Sequence, residues 1–322
     1  MKYVELRKGL VVPEIAVGLM RIDKVGVEGT EKLITTAMEN GTNFFDNADI
    51  YGFDSYPGGV DENGMGYHEV LFGKAMKNLG IKREDYMLTS KCGIIWQKAD
   101  EGHTPSNEKD YIIERVNRSL KGMQTDYLDF FILHRPDTLV EPEGVAEAFT
   151  QLKKEGKVRY FGVSDHTANQ IKLLKTAVQE DIIFDQLHFN PKHAALVAGG
   201  LCNNNYSSDA ADLTQGTLEY CRINKIGLQA WSLLWSWNPM GNVLTDFPEL
   251  DAKLDEIGAK YGVSNRAAVV TAWVLRHPAF VQVLTGSSSV EHFKEQLEYE
   301  KINMTRAEWY EIYKAAGNNT TF

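Results

Sequence analysis

What the chain lacks narrows it first. Its 322 residues include three cysteines, Cys92, Cys202 and Cys221. These are too few and too irregularly spaced for a disulfide framework or a CxxC metal site, so a reducing, cytoplasmic setting is expected. No apolar run approaches the ~18 residues of a membrane helix, and MKYVELRKGLVVPEIAVG contains no apolar stretch of the kind that directs export. Basic surface is scarce as well. The 34 Lys and Arg against 44 Asp and Glu give a formal net charge of -10, which argues against nucleic acid or an anionic membrane as the main partner. There is no GxGxxG after the first apolar run, no P-loop GxxxxGKS/T and no HExxH, and GVSDH at 162–166 departs from GxSxG where His166 stands. None of the eight histidines falls in a typical ligand spacing, so no catalytic metal is expected.

What is present is a beat. With 43% hydrophobic and 24% charged residues, the composition is that of an ordinary globular protein with material for a large core. Eight short apolar runs recur at 15–20, 43–48, 86–91, 128–134, 158–164, 185–190, 226–232 and 281–286. Segments of helical period alternate with them, at 28–40, 67–79, 108–122, 141–155, 167–179, 210–224, 249–276 and 290–300. Alternation of this kind builds a parallel sheet, and eight units favour closure into a (β/α)8 TIM barrel spanning 1–322 as a single domain. A last helix, Thr305 to Ala316, opens with the capping-box pair Thr305 and Glu308. Long connections at 52–66, 191–209 and 232–248 all follow strands, on the side where such a barrel keeps its pocket.

Four polar residues stand at the ends of three of these runs: Asp46 and Tyr51 in NFFDNADIYG, Lys91 in YMLTSKCG and His134 in LDFFILHRPD. Taken singly, such an aspartate is most often a cap, and such a tyrosine or histidine a core residue with one hydrogen bond. In this order they make sense as one device. A tyrosine with a pKa of about 10 is a reluctant acid at neutral pH, but a unit charge ~4 Å away at an effective dielectric near 20 is worth about 4 kcal/mol, or roughly three pKa units. Lys91 is therefore expected to bring Tyr51 into a useful range, Asp46 to hold Lys91 charged, and His134 to orient the carbonyl that receives the proton. Carbonyl reduction is the reaction that this set suggests. A rival reading, Lys91 as a Schiff-base nucleophile, needs a neutral amine, and Asp46 argues against that.

GTNFFDNADIYG, TSKCG and ILHRPD, followed in order by KVRYFGVSDH, DQLHFNP, LQAWSLL and VLTGSSSVEHFKEQL, resemble the aldo-keto reductase family over nearly the whole chain. Within it the sequence is closest in appearance to bacterial reductases with HADIYG, SKCG and IHRPD, which stand here as NADIYG, SKCG and LHRPD. The resemblance implies a TIM barrel, a nicotinamide cofactor bound without a Rossmann motif, and NAD(P)H-dependent reduction of an aldehyde or ketone, with Tyr51 as general acid/base. It also implies a set of cofactor contacts. Ser164, Asp165 and Gln186 would meet the carboxamide, Trp231 would stack on the nicotinamide, and Gly18, Leu19 and Met20 would line the same pocket. Ser232 and Leu233 would lie on the pyrophosphate side, and Gly286, Ser287, Ser288, His292 and Gln296 would hold the adenosine.

Three positions depart from the family pattern. Asp165 stands where an asparagine is usual, which makes that contact acceptor-only when the carboxyl is ionised. Trp231 replaces the usual tyrosine and can still stack. The run Ser287, Ser288, Ser289 lacks the arginine that suits a 2′-phosphate; NADPH is the expected cofactor, with NADH open as the alternative. Some relatives of this type retain cofactor yet serve as regulatory subunits with little turnover, and this is the second functional reading. Tyr56, Trp96, Trp235 and Trp237 are candidates for the substrate pocket. Cys92 reads as a buried neighbour of Lys91, and His166, His188 and His193 read as structural.

Overall fold

The computed structural model describes residues 1–52, 66–96, 103–202, 212–237 and 239–320. An antiparallel hairpin of β1 (Tyr3–Arg7) and β2 (Leu10–Pro13) precedes β3 (Ile15–Gly18), α1 (Gly26–Glu39), β4 (Phe44–Asp46), α2 (Tyr67–Leu79) and β5 (Met87–Cys92). A second hairpin, β6 (Ile94–Trp96) with β7 (His103–Pro105), leads to α3 (Lys109–Gly122), β8 (Leu128–Leu133), α4 (Pro142–Lys154), β9 (Val158–Ser164), α5 (Ala168–Leu174) and β10 (Ile182–His188). Then come α6 (Ala195–Leu201), α7 (Thr217–Ile223) and β11 (Gly227–Trp231), and a third hairpin of β12 (Trp235–Trp237) and β13 (Met240–Asn242). Helices α8 (Pro248–Lys260) and α9 (Arg266–Arg276), strand β14 (Phe280–Thr285), and helices α10 (Val290–Gln296) and α11 (Arg306–Ala315) complete the chain.

Strands β10-β11-β14-β3-β4-β5-β8-β9 close a barrel in that order, a parallel (β/α)8 architecture. All eight apolar runs lie on its strands. Three helical expectations needed revision. The 249–276 segment is two helices, because Gly262 takes φ 66° after α8 and the Asn265 side chain caps α9 through the N–H groups of Ala267 and Ala268. The 167–179 segment stops helically at Leu174, and the 210–224 segment is helical only from Thr217. Thr305 and Glu308 do form the capping box at the start of α11.

By internal contacts the chain divides into two compact units: 16–186 with 286–290, and 1–15 with 187–285 and 291–322. In the first, a run of aromatic side chains fills the space inside the strands. Phe44 stacks on Phe130 at 5.1 Å, Phe130 lies 5.2 Å from Phe184, and Tyr160 stacks on Phe130 at 5.7 Å. Alternation along each strand sends the intervening residues outward, so Phe45 meets Phe72 of α2 and Phe131 meets Phe149 of α4. Helices α2 and α3 approach so closely that a Cβ on Gly73 would lie 2.7 Å from the Gly122 carbonyl.

In the second unit, Trp273 and Trp309 stack at 4.7 Å, and each indole N–H donates to the other residue's carbonyl, at 2.9 and 3.0 Å. This pair fastens α11 to α9 with both polar handles satisfied. Phe189 stacks on Trp273 and Phe280 at 5.1 and 4.3 Å. Below them Gln229 donates to Gln282, which donates to the Pro13 carbonyl at 2.7 Å, so the buried amides tie the first hairpin to β11 and β14. Since Phe130 is fully buried at the centre of its aromatic run, Phe130→Ala is expected to destabilise the protein by about 3–5 kcal/mol; an unshifted urea midpoint would contradict that packing.

Candidate active site

Lys91 organises the site. It is the fifth residue of β5, faces inward and is 1% exposed. A buried ammonium has three hydrogens to place, and here each has an acceptor: Asp46 Oδ1 at 2.5 Å, the Asn47 carbonyl at 2.7 Å and Tyr51 Oη at 3.3 Å. All three acceptors come from the end of β4 and the segment that continues it. Asn47 and Asp49 extend the pairing with β5 by donating to the Thr89 and Lys91 carbonyls, and a turn closed by Tyr51 N–H to the Ala48 carbonyl then brings the phenol back over the lysine. Burial alone would lower the Lys91 ammonium, but Asp46 and Tyr51 outweigh it and hold Lys91 above its ordinary value. A charged, saturated ammonium is no Schiff-base nucleophile.

Asp46 is 2% exposed and uses both oxygens, one for Lys91 and the other for Gln186, whose Nε2 donates to Oδ2 at 2.7 Å. Burial pushes its carboxyl up, Lys91 and Gln186 pull it down, and the net direction is upward. The donor on each oxygen favours the ionised form against that burial.

The acidity expected of Tyr51 is reversed. Burial pushes the phenol above its ordinary value; Lys91 pulls it down, Asp46 pushes it up, and the net direction is upward. The largest cause is the loss of water around the phenol. Lys91 also does not act as a bare cation, because Asp46 sits against it and offsets part of its field at the phenol. Tyr51 is therefore a neutral hydroxyl beside a compensated ion pair.

His134 follows directly on β8 and is 7% exposed. Its backbone N–H donates to the Cys92 carbonyl at 2.8 Å. At Gly93, φ is 130°, and a Cβ would lie 2.9 Å from Asn107 Oδ1 and 3.3 Å from the His134 nitrogen, so only glycine fits the crossing of the two strand ends. The His134 ring meets Tyr51 edge-on at 5.9 Å and 79°. Burial first, and then Lys91 and Arg135, hold the imidazole well below its ordinary value, so it is neutral. Its Nδ1 is buried with no hydrogen-bond partner among the described residues.

The remaining positions singled out in the sequence fall in both units. In the first, Ser164 is 2% exposed and donates to the Gln186 carbonyl at 3.0 Å, while Arg135 donates to its Oγ at 3.3 Å. Asp165 stands at φ 53° and pairs with Arg135 at 2.9 Å. Leu19 is buried and its N–H donates to the Asp46 carbonyl at 2.9 Å; Gly18 ends β3 and Met20 is exposed. Gly286 is exposed, and Ser287 and Ser288 are half-buried.

In the second unit, Trp231 ends β11 and stacks at 4.8 Å on His188, which stacks at 3.8 Å on His193. Ser232 stands at φ 55° and its carbonyl accepts from Asn190, while Leu233 is buried. His292 is exposed, but Gln296 is buried and its amide donates to Thr271 at 2.9 Å. Trp235 and Trp237 meet edge-on at 6.2 Å. Tyr56 and the Trp96 side chain lie outside the described residues.

His166 is buried, with Nδ1 2.8 Å from the Ser164 carbonyl, and burial brings both it and His188 down to about 4. Burial pushes the Cys92 thiol well up, away from nucleophilic thiolate. Among the described residues, no three His, Cys, Asp or Glu side chains stand together as a metal-ligand set, and no helix is long and apolar enough to cross a membrane.

Two partnerships escaped the sequence: Gln186 with Asp46, and Arg135 with Asp165. The only local hint was one departure from the family pattern, the aspartate after Ser164. A neutral His134 leads to a direct expectation. Its imidazole nitrogens keep neutral chemical shifts in long-range nitrogen–proton NMR spectra from about pH 8 to about pH 5.5, and a midpoint near 6.5 would contradict the burial seen here.

The profile of the aldo/keto reductase family matches residues 14–316. Among characterised and uncharacterised relatives, the chain is 30% identical over 326 residues to the uncharacterised oxidoreductase YcsN of Bacillus subtilis (strain 168), covering 98% of each chain. It is 29% identical over 318 residues to a 6-dehydroglucose reductase of Novosphingobium aromaticivorans, covering 96% of this chain and 93% of that one. Of the solved structures, the thermostable aldo-keto reductase Tm1743 with the inhibitor epalrestat shares the fold at a TM-score of 0.71 and 24% identity, over 98% of this chain and 100% of that one. An ordered Asp46, Tyr51, Lys91 and His134 on a closed eight-stranded barrel, together with a family match over nearly the full length, leads to one conclusion: the chain is an oxidoreductase of the aldo/keto reductase family.

Proposed function

We propose that the chain reduces an aldehyde or ketone to the alcohol with NADPH as reductant, Tyr51 supplying the proton. The observation that carries this reading is the shared ammonium: one Lys91 Nζ bonded to both Asp46 and Tyr51 Oη, with a neutral His134 edge-on to the same phenol. A carbonyl oxygen placed between Tyr51 and His134 meets two neutral donors, the phenol O–H and an imidazole N–H. Both favour the negative charge that grows on that oxygen.

When Tyr51 gives up its proton, the charge left on Oη lies 3.3 Å from the Lys91 ammonium, which holds it until a proton returns from water. Asp46 keeps Lys91 protonated throughout. Lys91 thus limits the cost of the tyrosinate formed during transfer without creating it beforehand.

The residues present fit a nicotinamide. Within the first unit, the unpartnered His134 Nδ1 and the polar group of Ser164, Arg135 and Asp165 offer hydrogen-bonding partners for its carboxamide. Ser164, Asp165 and Gln186 would hold the carboxamide, with Gly18, Leu19 and Met20 alongside. Trp231, Ser232 and Leu233 would take the nicotinamide and pyrophosphate side, and Gly286, Ser287, Ser288, His292 and Gln296 the adenosine. Bound there, the cofactor supplies hydride to the carbonyl carbon. NADPH is favoured over NADH because the hydroxyls of 287–289 are followed by Lys294, with no acidic side chain in the serine run to repel a 2′-phosphate.

Removing the donor alone should stop the chemistry. Tyr51→Phe is expected to lower kcat by about 10²- to 10⁴-fold with NADPH binding retained, and a variant that reduces a reactive aldehyde as fast as the parent would sink the proposal. The pH dependence has a definite sign. Reduction needs the protonated phenol, and Tyr51 is pushed above its ordinary value, so the rate stays level from about pH 6 to about pH 9 and falls only beyond about 10. A fall centred near neutrality would show that tyrosinate is the resting form.

A further inference from the structure

Behind the proposed catalytic residues stand two buried polar neighbours, Ser90, which precedes Lys91 on β5, and Asp49, which follows the end of β4. The buried stripe of α3 reads Ile112, Arg115, Val116, Ser119 and Leu120, so two polar side chains stand where helical period calls for apolar ones. Arg115 is 5% exposed, and its Nε donates to Asp49 Oδ2 at 2.8 Å; Asp49 is fully buried. Glu69, buried in α2, accepts from Ser90 Oγ at 2.5 Å and shares a hydrogen bond with Ser119. Asp49 lies two residues before Tyr51, and Ser90 lies immediately before Lys91. Both catalytic strand ends are thus fastened from behind into one seam of Asp49, Arg115, Ser119, Glu69 and Ser90.

A buried ion pair is a poor route to stability, because each ion is stripped of water and well-packed apolar side chains of similar size often do as well. What it fixes is place. The Asp49 carboxylate is held by Arg115 while its backbone N–H holds the Lys91 carbonyl at 3.0 Å. The turn from Ala48 to Tyr51 begins at this clamp. Tyr51 Oη is the longest of the three Lys91 contacts, 3.3 Å against 2.5 and 2.7 Å. Small shifts of the turn fall first on that contact.

We propose that Arg115 is a positioning residue for Tyr51: its bond to Asp49 fixes the turn that carries the proton donor against the strand end that carries Lys91. The proposal rests on the carbonyl-reductase reading of the site. It does not involve substrate or cofactor contact, so it separates chemistry from binding.

The test uses the full chain, NADPH and 4-nitrobenzaldehyde as probe substrate, with Arg115→Met, Arg115→Lys and Asp49→Asn compared with the parent and with Tyr51→Phe. Arg115→Met and Asp49→Asn are expected to lower kcat on the order of tenfold to a hundredfold, with KM and NADPH affinity within about threefold, since misplacing a reacting group costs rate more than binding. The solvent deuterium isotope effect on kcat rises in both as proton transfer becomes limiting. Arg115→Lys, which keeps a cation for Asp49, recovers most of the rate.

A folded Arg115→Met or Asp49→Asn protein with kcat within about twofold of the parent overturns the inference. So does a loss of rate that tracks the unfolded fraction with the isotope effect unchanged. If Arg115→Met does not fold, Asp49→Asn and Arg115→Lys carry the same comparison. Should Tyr51→Phe itself stay active, the carbonyl-reductase reading fails; should it lose activity while the Arg115 and Asp49 variants do not, only the positioning role fails.

Discussion

A lysine ammonium removed from water sets the terms for this site. Stripping such an ion of solvent costs several kcal/mol even after relaxation, so Lys91 is tolerated only where three acceptors converge on its three hydrogens. They come from a single stretch, 46–51, which must leave β4, keep pairing with β5 for a few residues and then turn back. The local path of that stretch is thus shaped by one cation. The glycine at 93, the Cys92 carbonyl under His134 and the Gln186 amide on Asp46 are further adjustments to the same crowded strand ends.

The same interaction moderates its own effect. A lone cation near a phenol would draw out its proton, but a cation locked to a carboxylate is closer to a dipole, whose field fades faster with distance. Burial first, and then this compensation, leave Tyr51 a neutral hydroxyl 3.3 Å from the ammonium. His134, kept neutral by burial and by two neighbouring cations, adds a donor without adding charge.

The barrel could be read from the chain because its strands are uninterrupted apolar runs between helical periods, and fully buried strands have no other way to look. The four candidate residues drew notice because their side-chain types are unusual at strand ends, and the fold brings Asp46, Tyr51 and Lys91 into contact, with His134 edge-on to Tyr51. Other features left no such trace. Gln186 and Asp46 are 140 residues apart, and Arg115 and Asp49 are 66 apart; no local pattern records such a meeting. In sequence Asp165 reads as a weakened amide contact, whereas in the fold it is the ion-pair partner of Arg135. The direction of the Tyr51 shift depends on how thoroughly the phenol is enclosed and on how tightly Asp46 grips Lys91, and both are properties of the folded site. The long helical period at 249–276 concealed a break because Gly262 and Asn265 punctuate it more strongly than the pattern does.

Lys91 has no hydrogen left to offer. An acidic ligand approaching these strand ends would find their most deeply buried positive charge already coordinated by Asp46, Asn47 and Tyr51, beside a phenol and an imidazole that are both neutral. Under the proposed function such a ligand would be recognised through direction, by two donors aimed at one oxygen, with shape and hydrogen-bond geometry counting for more than formal charge.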